Sequence, residues 1–392
     1  MGHAKPAVMT TTTEATAQVV RSATIAQIVA GRWSTMPASP LDARLDPSVV
    51  WAGTELVVWG GDATPSGKAE RNGAAYDPTT RRWQMLAPSP FTPREGAVAV
   101  WTGSEVVFWG GVYPEPAGRV TPGSVAAVAY RPTTNTWRTI GAAPLPPTSE
   151  PIGVWTGDRV VLFSGAHAAS YNPETNVWQQ LPTPSTPHRP LDWTYAAAAG
   201  PGRVVAWSVW YPPETSNTSG PQSFVQIGGA DLFRYDESSN RWTTLAPGPD
   251  AISVPSNAFW TGHRLLVLGH NGYCCYPTGD GPPFVGALYD PETGRATTIR
   301  HGALNPNSSS VWTGAAVWSF VPIDYDHSPG MGHTRLYDPT SNTTQPLKPA
   351  PFGAYYPPTP IWTGTSVLLY SPETRIEPAQ PQPVGGLEYI AG

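Results

Sequence analysis

Residues 98–111 read Val-Ala-Val-Trp-Thr-Gly-Ser-Glu-Val-Val-Phe-Trp-Gly-Gly, which is two apolar runs joined by a short polar turn. Runs this short, and this rich in β-branched and aromatic residues, are typical of strands that are buried on both faces. The Thr-Gly between the runs favours a tight turn, because glycine accepts a positive φ. The stretch therefore predicts a pair of antiparallel strands.

This stretch recurs along the whole chain. Six copies of Trp-Thr-Gly or Trp-Ala-Gly begin at Trp51, Trp101, Trp155, Trp260, Trp312 and Trp362. A degenerate copy that lacks the Trp lies at Ala198-Ala199-Gly200. Self-similarity at a fixed period is the signature of a repeat architecture, and the copies predict seven structural units.

A second motif, Tyr-Asp-Pro-x-Thr followed by Trp, alternates with the first. It is clearest at Tyr76 with Trp83, and it recurs at Tyr130 with Trp137, Tyr171 with Trp178, Tyr235 with Trp242, and without the Trp at Tyr289 and Tyr337. Asp and Pro are turn residues, so this motif predicts a second hairpin in each unit. Successive tyrosines lie 41 to 64 positions apart. Two hairpins in about 50 residues make one four-stranded blade of a β-propeller.

Together these motifs resemble the kelch-repeat family, and the resemblance extends from Trp33 to Ile390. It implies an all-β, seven-bladed propeller with four antiparallel strands in each blade, similar to the central domain of galactose oxidase. The copper-radical site of that group needs a Cys cross-linked to Tyr and ligands from a further domain, so we expect no such site here. The motifs specify a fold and leave the function open.

The two ends of the repeat predict how the ring closes. The last copy supplies only three strands, and residues 31–37 match the fourth-strand pattern seen at residues 83–88. We therefore expect the N-terminal strand to complete the last blade and to cover its edge. Residues 31–392 form one propeller domain in this interpretation. Residues 1–30 form an extension, with a short amphipathic helix between Glu14 and Val29.

Composition restricts the partners. The chain has 17 Trp and 47 Pro, only 13% charged residues and a net charge of -5. Without basic clusters it lacks the electrostatic footprint of a nucleic-acid-binding protein. No apolar run is long enough to cross a bilayer. We expect a monomer and favour an extracellular or periplasmic location, with the leader absent from this chain, while a cytoplasmic location stays open.

The long, individual loops of the repeats should all lie on one face. Second-to-third loops and blade links share that face, called here the loop face, and the short turns share the other, called the turn face. Variable loops on a rigid scaffold usually provide the functional groups. The first hypothesis is a propeller that binds a small molecule, saccharide or protein partner at the channel mouth on the loop face. The alternative is an enzyme of lyase, isomerase or cyclase type with its active site at the same place.

Charged residues just before the first strands, and a histidine on a later loop, are candidate catalytic groups. They are Arg94, Glu95, Glu150, His188, Asp192 and His270. A carboxylate pair or a His with a carboxylate can do general acid–base work, and arginines, including Arg44, can clamp an anion. Salt bridges between blades and turn caps explain the same residues structurally.

Polar residues before the last blade could bind a metal ion. They are Asp324, Asp326, His327 and His333, to which His270 of the preceding blade could add a ligand. Oxygen and nitrogen ligands suit Mn, Fe, Zn or Ca. The spacing matches no ligand signature, a solvated polar loop is the more common outcome for such a segment, and the sequence requires no cofactor.

Aromatic residues on the predicted loops are candidate ligand-binding groups, because exposed Trp and Tyr stack on sugar rings and anchor interfaces. They are Tyr113, Trp193, Trp210, Tyr211, Tyr355 and Tyr356. The only cysteines, Cys274 and Cys275, are neighbours between Tyr273 and Tyr276. They form either a strained vicinal disulfide that stiffens a ligand-binding loop or two reduced thiols in a turn.

Overall fold

The repeated apolar runs pair into seven antiparallel sheets of four strands each. The structure is a computed structural model that describes residues 23–63, 68–114, 120–122, 126–149, 151–185, 194–200, 203–210, 229–245, 254–270, 284–299, 308–321, 333–351, 358–370 and 385–392. The sheets are called blades 1 to 7, and the strands of each are called first to fourth. First strands of neighbouring blades contact one another from blade 1 to blade 7 and back to blade 1. The predicted seven-bladed all-β propeller is confirmed.

The strands of the first three blades are short. Blade 1 contains Ser48–Trp51, Leu56–Trp59, Gly73–Asp77 and Arg82–Met85. Blade 2 contains Val98–Trp101, Val106–Trp109, Ala127–Arg131 and Thr136–Ile140. Blade 3 contains Ile152–Trp155, Val160–Ser164, His167–Asn172 and Val177–Gln180. Every described residue of the three second strands is buried, as sheets packed on both faces require.

Blades 4 and 5 have longer inner strands. Blade 4 contains Thr194–Gly200, Arg203–Trp210, Gly229–Asp236 and Arg241–Thr244. Blade 5 contains Val254–Trp260, Leu265–His270, Phe284–Asp290 and Arg295–Ile299. Blade 6 contains Ser309–Trp312, Val317–Val321, His333–Asp338 and Thr343–Pro346. The pairing register shifts between Thr194 and Ala196 and between Pro255 and Asn257, so the first strands of blades 4 and 5 each have a β-bulge.

The N-terminal strand closes the ring in blade 7, as expected from the sequence. This blade contains Pro360–Trp362, Ser366–Leu369, Leu387–Ile390 and Arg32–Thr35. Trp33 pairs with Tyr389, and their ring centroids lie 5.0 Å apart. A five-residue helix, Ile25–Val29, precedes the closing strand and is tied to blade 7 by a 2.9 Å hydrogen bond from the Tyr389 hydroxyl to the Ile28 carbonyl. The part of the predicted helix before residue 23 lies outside the described residues.

In blades 1, 2, 3 and 7 the recurrent Tyr and Trp residues join the blade to the one before it. The third-strand Tyr and the fourth-strand Trp pack together, with centroids 4.9 Å apart for Tyr130 and Trp137. The indole N–H then donates to a carbonyl in the link that follows the preceding blade, as Trp137 does to Ala87 at 2.8 Å. Trp33, Trp83 and Trp178 make equivalent bonds. The repeat motif therefore encodes contacts between blades as well as within them.

Blade 4 is the degenerate copy, and its register shows which residue replaces the lost Trp. Ala199 pairs with Val204, just as Trp260 pairs with Leu265 in blade 5. Ala199 therefore occupies the Trp position. A Cβ at Gly200 would lie 2.5 Å from the Trp260 indole, so this turn needs glycine.

Small accessory strands lie on the loop face of blades 1 and 2. Arg44–Leu45, Asp62–Ala63 and Lys68–Ala69 form a three-stranded sheet, and Val112–Pro114 pairs with Val120–Pro122. A 3₁₀ turn, Pro132–Thr134, lies between the third and fourth strands of blade 2. Among the described residues, no helix is long and apolar enough to span a membrane.

Candidate functional site

The strand directions bring five of the predicted site residues to one face. First strands run from the loop face to the turn face, second strands run back, and third strands start again at the loop face. Glu95 precedes a first strand, Tyr113 follows a second strand, and His333 begins a third strand. Trp210 and His270 end the second strands of blades 4 and 5. All five backbone positions therefore belong to the loop face.

Most of the other candidates lie outside the described residues. These are Glu150, His188, Asp192, Trp193, Tyr211, Tyr273, Cys274, Cys275, Tyr276, Asp324, Asp326, His327, Tyr355 and Tyr356. Their roles stay predictions. In the described part of the chain, no group of three His, Cys, Asp or Glu side chains is placed to hold a metal ion. His333 is exposed at the start of its strand.

Arg94 is held by the scaffold of blade 2. Its side chain is 1% exposed, and its guanidinium carbon lies 3.5 Å from the centroid of the Phe91 ring. Nε donates to the Thr92 carbonyl, Nη1 donates to the Gly110 carbonyl, and Nη2 donates to the Thr92 hydroxyl. Burial lowers the pKa of this guanidinium to about 10. These contacts are those of a loop-stabilising residue, as in the structural explanation of the sequence.

The Glu95 carboxyl, unlike the Arg94 guanidinium, has the properties of an acid–base group. Its side chain is half-buried, and burial, with the nearby carboxylates of Asp46 and Asp62, raises its pKa to about 7. Desolvation disfavours the charged form of a carboxyl, and like charges add to the effect. At neutral pH this carboxyl is thus poised between its protonated and ionised forms.

Backbone hydrogen bonds bring the three carboxyls together from separate loops. Gly96 N donates to the Asp46 carbonyl at 2.9 Å. This bond links the segment before the first strand of blade 2 to the segment before the first strand of blade 1. Leu45 pairs with Asp62 in the accessory sheet. Asp46 takes a φ of 45° at this crossing, and although the residue as a whole is exposed, the loops packed around its carboxyl partly desolvate that group. Asp46 and Asp62 are functional candidates that the sequence reasoning missed, since nothing in their spacing connects them with Glu95.

The pKa values of these neighbours shift in the same direction as that of Glu95. Burial raises the pKa of Asp46. Burial, followed by the charges of Asp46 and Glu70, raises the pKa of Asp62. One oxygen of Asp62, Oδ1, is buried without a hydrogen-bond partner among the described residues. Of the three groups, Glu95, with its pKa of about 7, can donate or accept a proton near neutral pH, which an isolated surface carboxylate does not do.

Tyr113 lies next to this group of carboxyls. Glu95 N donates to the Val112 carbonyl at 3.0 Å, and Val112 N donates to the Glu95 carbonyl at 2.9 Å. Tyr113 is the following residue, and 42% of its surface is exposed. Side chains alternate along a strand, so Tyr113 and Glu95 project to opposite sides of this short ladder. They provide neighbouring contact points on the loop face.

Comparison with known proteins supports the fold and adds no function. No family model and no curated protein matches the chain. A solved structure described as "Structure of YjhT" is similar, with a TM-score of 0.51 and 15% sequence identity over 80% of this chain and 100% of that chain. At this identity the similarity concerns the propeller architecture alone.

Proposed function

We propose that the protein is a ligand-binding propeller that uses its loop face. The observation that supports this most directly is the strand topology, which brings Glu95, Tyr113, Trp210, His270 and His333 to one face of the ring. Propellers commonly bind ligands and partners through such loops, because the blades hold them rigidly. Assignment of the repeats to the kelch group is part of the same proposal and rests on the two sequence motifs.

The chemistry of blades 1 and 2 favours a saccharide. An exposed tyrosine offers an aromatic face on which a sugar ring stacks, and half-buried carboxyls accept hydrogen bonds from hydroxyl groups. Tyr113 provides the aromatic contact and Glu95 the carboxyl contact, and because the two project to opposite sides of their short ladder, a saccharide that touches both must reach across it. The closely spaced acids would repel an anionic ligand, so this face also suits a neutral polyhydroxylated one.

A glycan array tests this proposal. The full chain is expected to bind a restricted set of glycans, and Tyr113→Ala should weaken that binding at least about tenfold through the lost stacking. Val177→Ala is the matched control, because Val177 is 56% exposed and begins a fourth strand on the turn side of blade 3. Binding that survives Tyr113→Ala and falls with Val177→Ala would reject the loop face as the site.

The pKa of Glu95 supports a second candidate, an enzyme that performs acid–base chemistry on the same ligand. A carboxyl with a pKa of about 7 matches the tuning expected of a general acid or base at neutral pH. Incubation of the bound glycan with the protein, followed by NMR, should then show turnover that Glu95→Gln abolishes while binding persists. Binding without turnover leaves the first proposal and removes this one.

A further inference from the structure

The turn between the third and fourth strands of blade 2 departs from the repeat. In blades 1, 3, 4, 5 and 6 an Asp or Asn follows the repeat Tyr, and its side chain accepts a hydrogen bond from a backbone N–H two or three residues later. Blade 2 has Arg131 at this position, and its 3₁₀ turn, Pro132–Thr134, has no side-chain cap. Arg131 therefore lacks a stabilising contact that the repeat provides, and departures of this kind are concentrated at functional positions.

A second arginine of blade 2, Arg138, also departs from the repeat. Its fourth-strand position is occupied by Gln, Thr or Ser in the other six blades. Nε of Arg138 donates to Glu105 Oε2 at 3.1 Å, and Nη2 donates to Glu105 Oε1. Nη1 donates to Asn176 and Nη2 also donates to the Tyr171 hydroxyl, so blade 3 helps to fix this guanidinium. Both oxygens of the Glu105 carboxylate are thus paired by Arg138.

Arg131 lies near the same carboxylate without a hydrogen bond to it. Its Nη2 is 3.7 Å from Glu105 Oε2, and 52% of its side chain is exposed. Val106 pairs with Tyr130, so Glu105, which precedes Val106, is the cross-strand neighbour of Arg131. Two guanidiniums, which stay protonated, and one carboxylate leave one positive charge in excess at this place.

The two arginines border a cleft that opens to solvent on the turn face. Its walls are Glu105, Ala129, Arg131, Thr136, Trp137 and Arg138. The cleft has about 280 Å³ of empty space, and Ala129, which pairs with Arg138, contributes only a methyl group to its wall. Pockets that enclose a whole small molecule measure about 300–1,000 Å³, so an open cleft of this size suits one functional group of a ligand.

We propose that this cleft binds one carboxylate group, with Arg131 as the main hydrogen-bond donor and Arg138 holding Glu105 in place. A carboxylate matches the planar fork of a guanidinium, and its single negative charge balances the charge in excess. A dianion such as sulfate would exceed that charge and would be repelled by Glu105. The carboxylate can belong to a small acid or to an acidic side chain of a partner protein. The site lies opposite the loop face and does not depend on the ligand proposed there.

NMR of the full chain with isotopically labelled arginine tests this site. The Nε–H signal of Arg131 is the one that disappears in Arg131→Asn. Sodium acetate and the peptide acetyl-Gly-Glu-Gly-amide are titrated at constant ionic strength and about pH 6, where an ordinary carboxyl is ionised. We expect both to shift the Arg131 signal saturably, and the Gln counterpart of the peptide to leave it unchanged. A lower dissociation constant for the peptide would identify a protein partner as the source of the carboxylate, and a lower constant for acetate would identify a small acid.

Arg131→Asn separates a role in binding from a role in the fold. It should abolish the saturable shifts at every other arginine signal. Its Tm should be no lower than that of the wild type, because Asn172 caps the same turn in blade 3 through its bonds to Glu174 N and Thr175 N. Arg241→Asn is the matched control, since Arg241 is an exposed turn-face arginine of blade 4, and it should leave the Arg131 response unchanged.

Three results would contradict the proposed carboxylate site. Absence of a saturable shift at Arg131 in the wild type would overturn the proposal, and a Tm of Arg131→Asn well below that of the wild type would then assign Arg131 to the fold alone. Shifts of equal size at the Arg131 and Arg241 signals would overturn it as well, because they would show a diffuse attraction of anions to surface arginines. A lower dissociation constant for sulfate than for acetate would contradict the charge balance on which the choice of a carboxylate rests.

Discussion

The Glu95 carboxyl lies near two acidic residues, Asp46 and Asp62, that are far from it in sequence. Its pKa of about 7 lies above the ordinary value of 4.5, so between these values the folded protein binds a proton that the unfolded chain has released. Stability therefore falls as the pH rises from 4.5 through 7. Because Glu95 is only half-buried, water screens part of its interaction with the other carboxylates, and the pKa shift cannot be converted in full into stability. We expect the free energy of unfolding to fall by roughly 1–2 kcal/mol over this pH range.

Glu95→Gln tests this at the level of the residue. The variant should be more stable than the wild type at pH 8, and its stability should depend less on pH between 4.5 and 7, because a neutral amide does not repel Asp46 and Asp62. Urea unfolding at a series of pH values measures both effects. Glu174→Gln, an exposed change on the turn face, is the control. A Glu95→Gln profile parallel to that of the wild type would show that this carboxyl titrates normally.

The fourth-strand tryptophans allow a second residue-scale prediction. Trp137 donates its indole N–H to Ala87 at 2.8 Å, whereas the indole nitrogen of Trp242, in the same repeat position, has no partner among the described residues. Both Trp→Phe changes remove similar ring area, but only Trp137→Phe also removes a hydrogen bond between blades. Trp137→Phe should therefore cost about 1 kcal/mol more in the free energy of unfolding. Equal losses in urea unfolding would contradict a role for the bond.

At this scale the sequence predicted single candidates better than their grouping. Glu95 was recognisable because it precedes a first strand, but Asp46 and Asp62 were missed. They approach it only through the Gly96 bond to Asp46 and the pairing of Leu45 with Asp62. Asp46 and Gly96 occupy the same repeat position, five residues before Trp51 and Trp101, but the repeat alone does not show that neighbouring copies bond to each other there.

Among the elements, the closing strand should have the largest effect on stability. Arg32–Thr35 pairs with Leu387–Ile390, and without it blade 7 would expose an unpaired edge and lose the packing of Trp33 on Tyr389. We expect a variant lacking residues 1–36 to unfold at a much lower temperature and to self-associate through that edge. A variant lacking residues 1–22 keeps every closing contact described here and should match the full chain.

Size-exclusion chromatography and thermal unfolding compare these two variants. A monomeric variant lacking residues 1–36 with the Tm of the full chain would show that the strand contributes little to closure. The strand was predictable because its Trp-Ser-Thr-Met-Pro repeats the pattern of other fourth strands. The accessory strands were not, since two-residue pairs such as Arg44–Leu45 with Asp62–Ala63 have no apolar alternation to detect.

For the whole molecule, the regular spacing of Trp and Tyr predicted the number of blades because the motifs mark hairpins that recur in every blade. The third-strand tyrosines are buried, and the fourth-strand tryptophans of blades 1, 2, 3 and 7 bond to the blade before. The bulges in blades 4 and 5 could not be predicted. They occur in first strands that are longer than those of the other blades, and the repeat motifs do not show strand length. The division into a uniform turn face and an individual loop face follows from the same geometry and locates the proposed function.

Hydrogen–deuterium exchange of the full chain, with and without the glycan that binds most tightly in the array, tests the assignment of function to the loop face most directly. A bound ligand should slow exchange in peptides that contain Glu95 and Val112–Pro114. The turns after Trp51, Trp101 and Trp155 on the opposite face should exchange at unchanged rates. Protection confined to those turns, with none at Glu95 or Tyr113, would contradict the account.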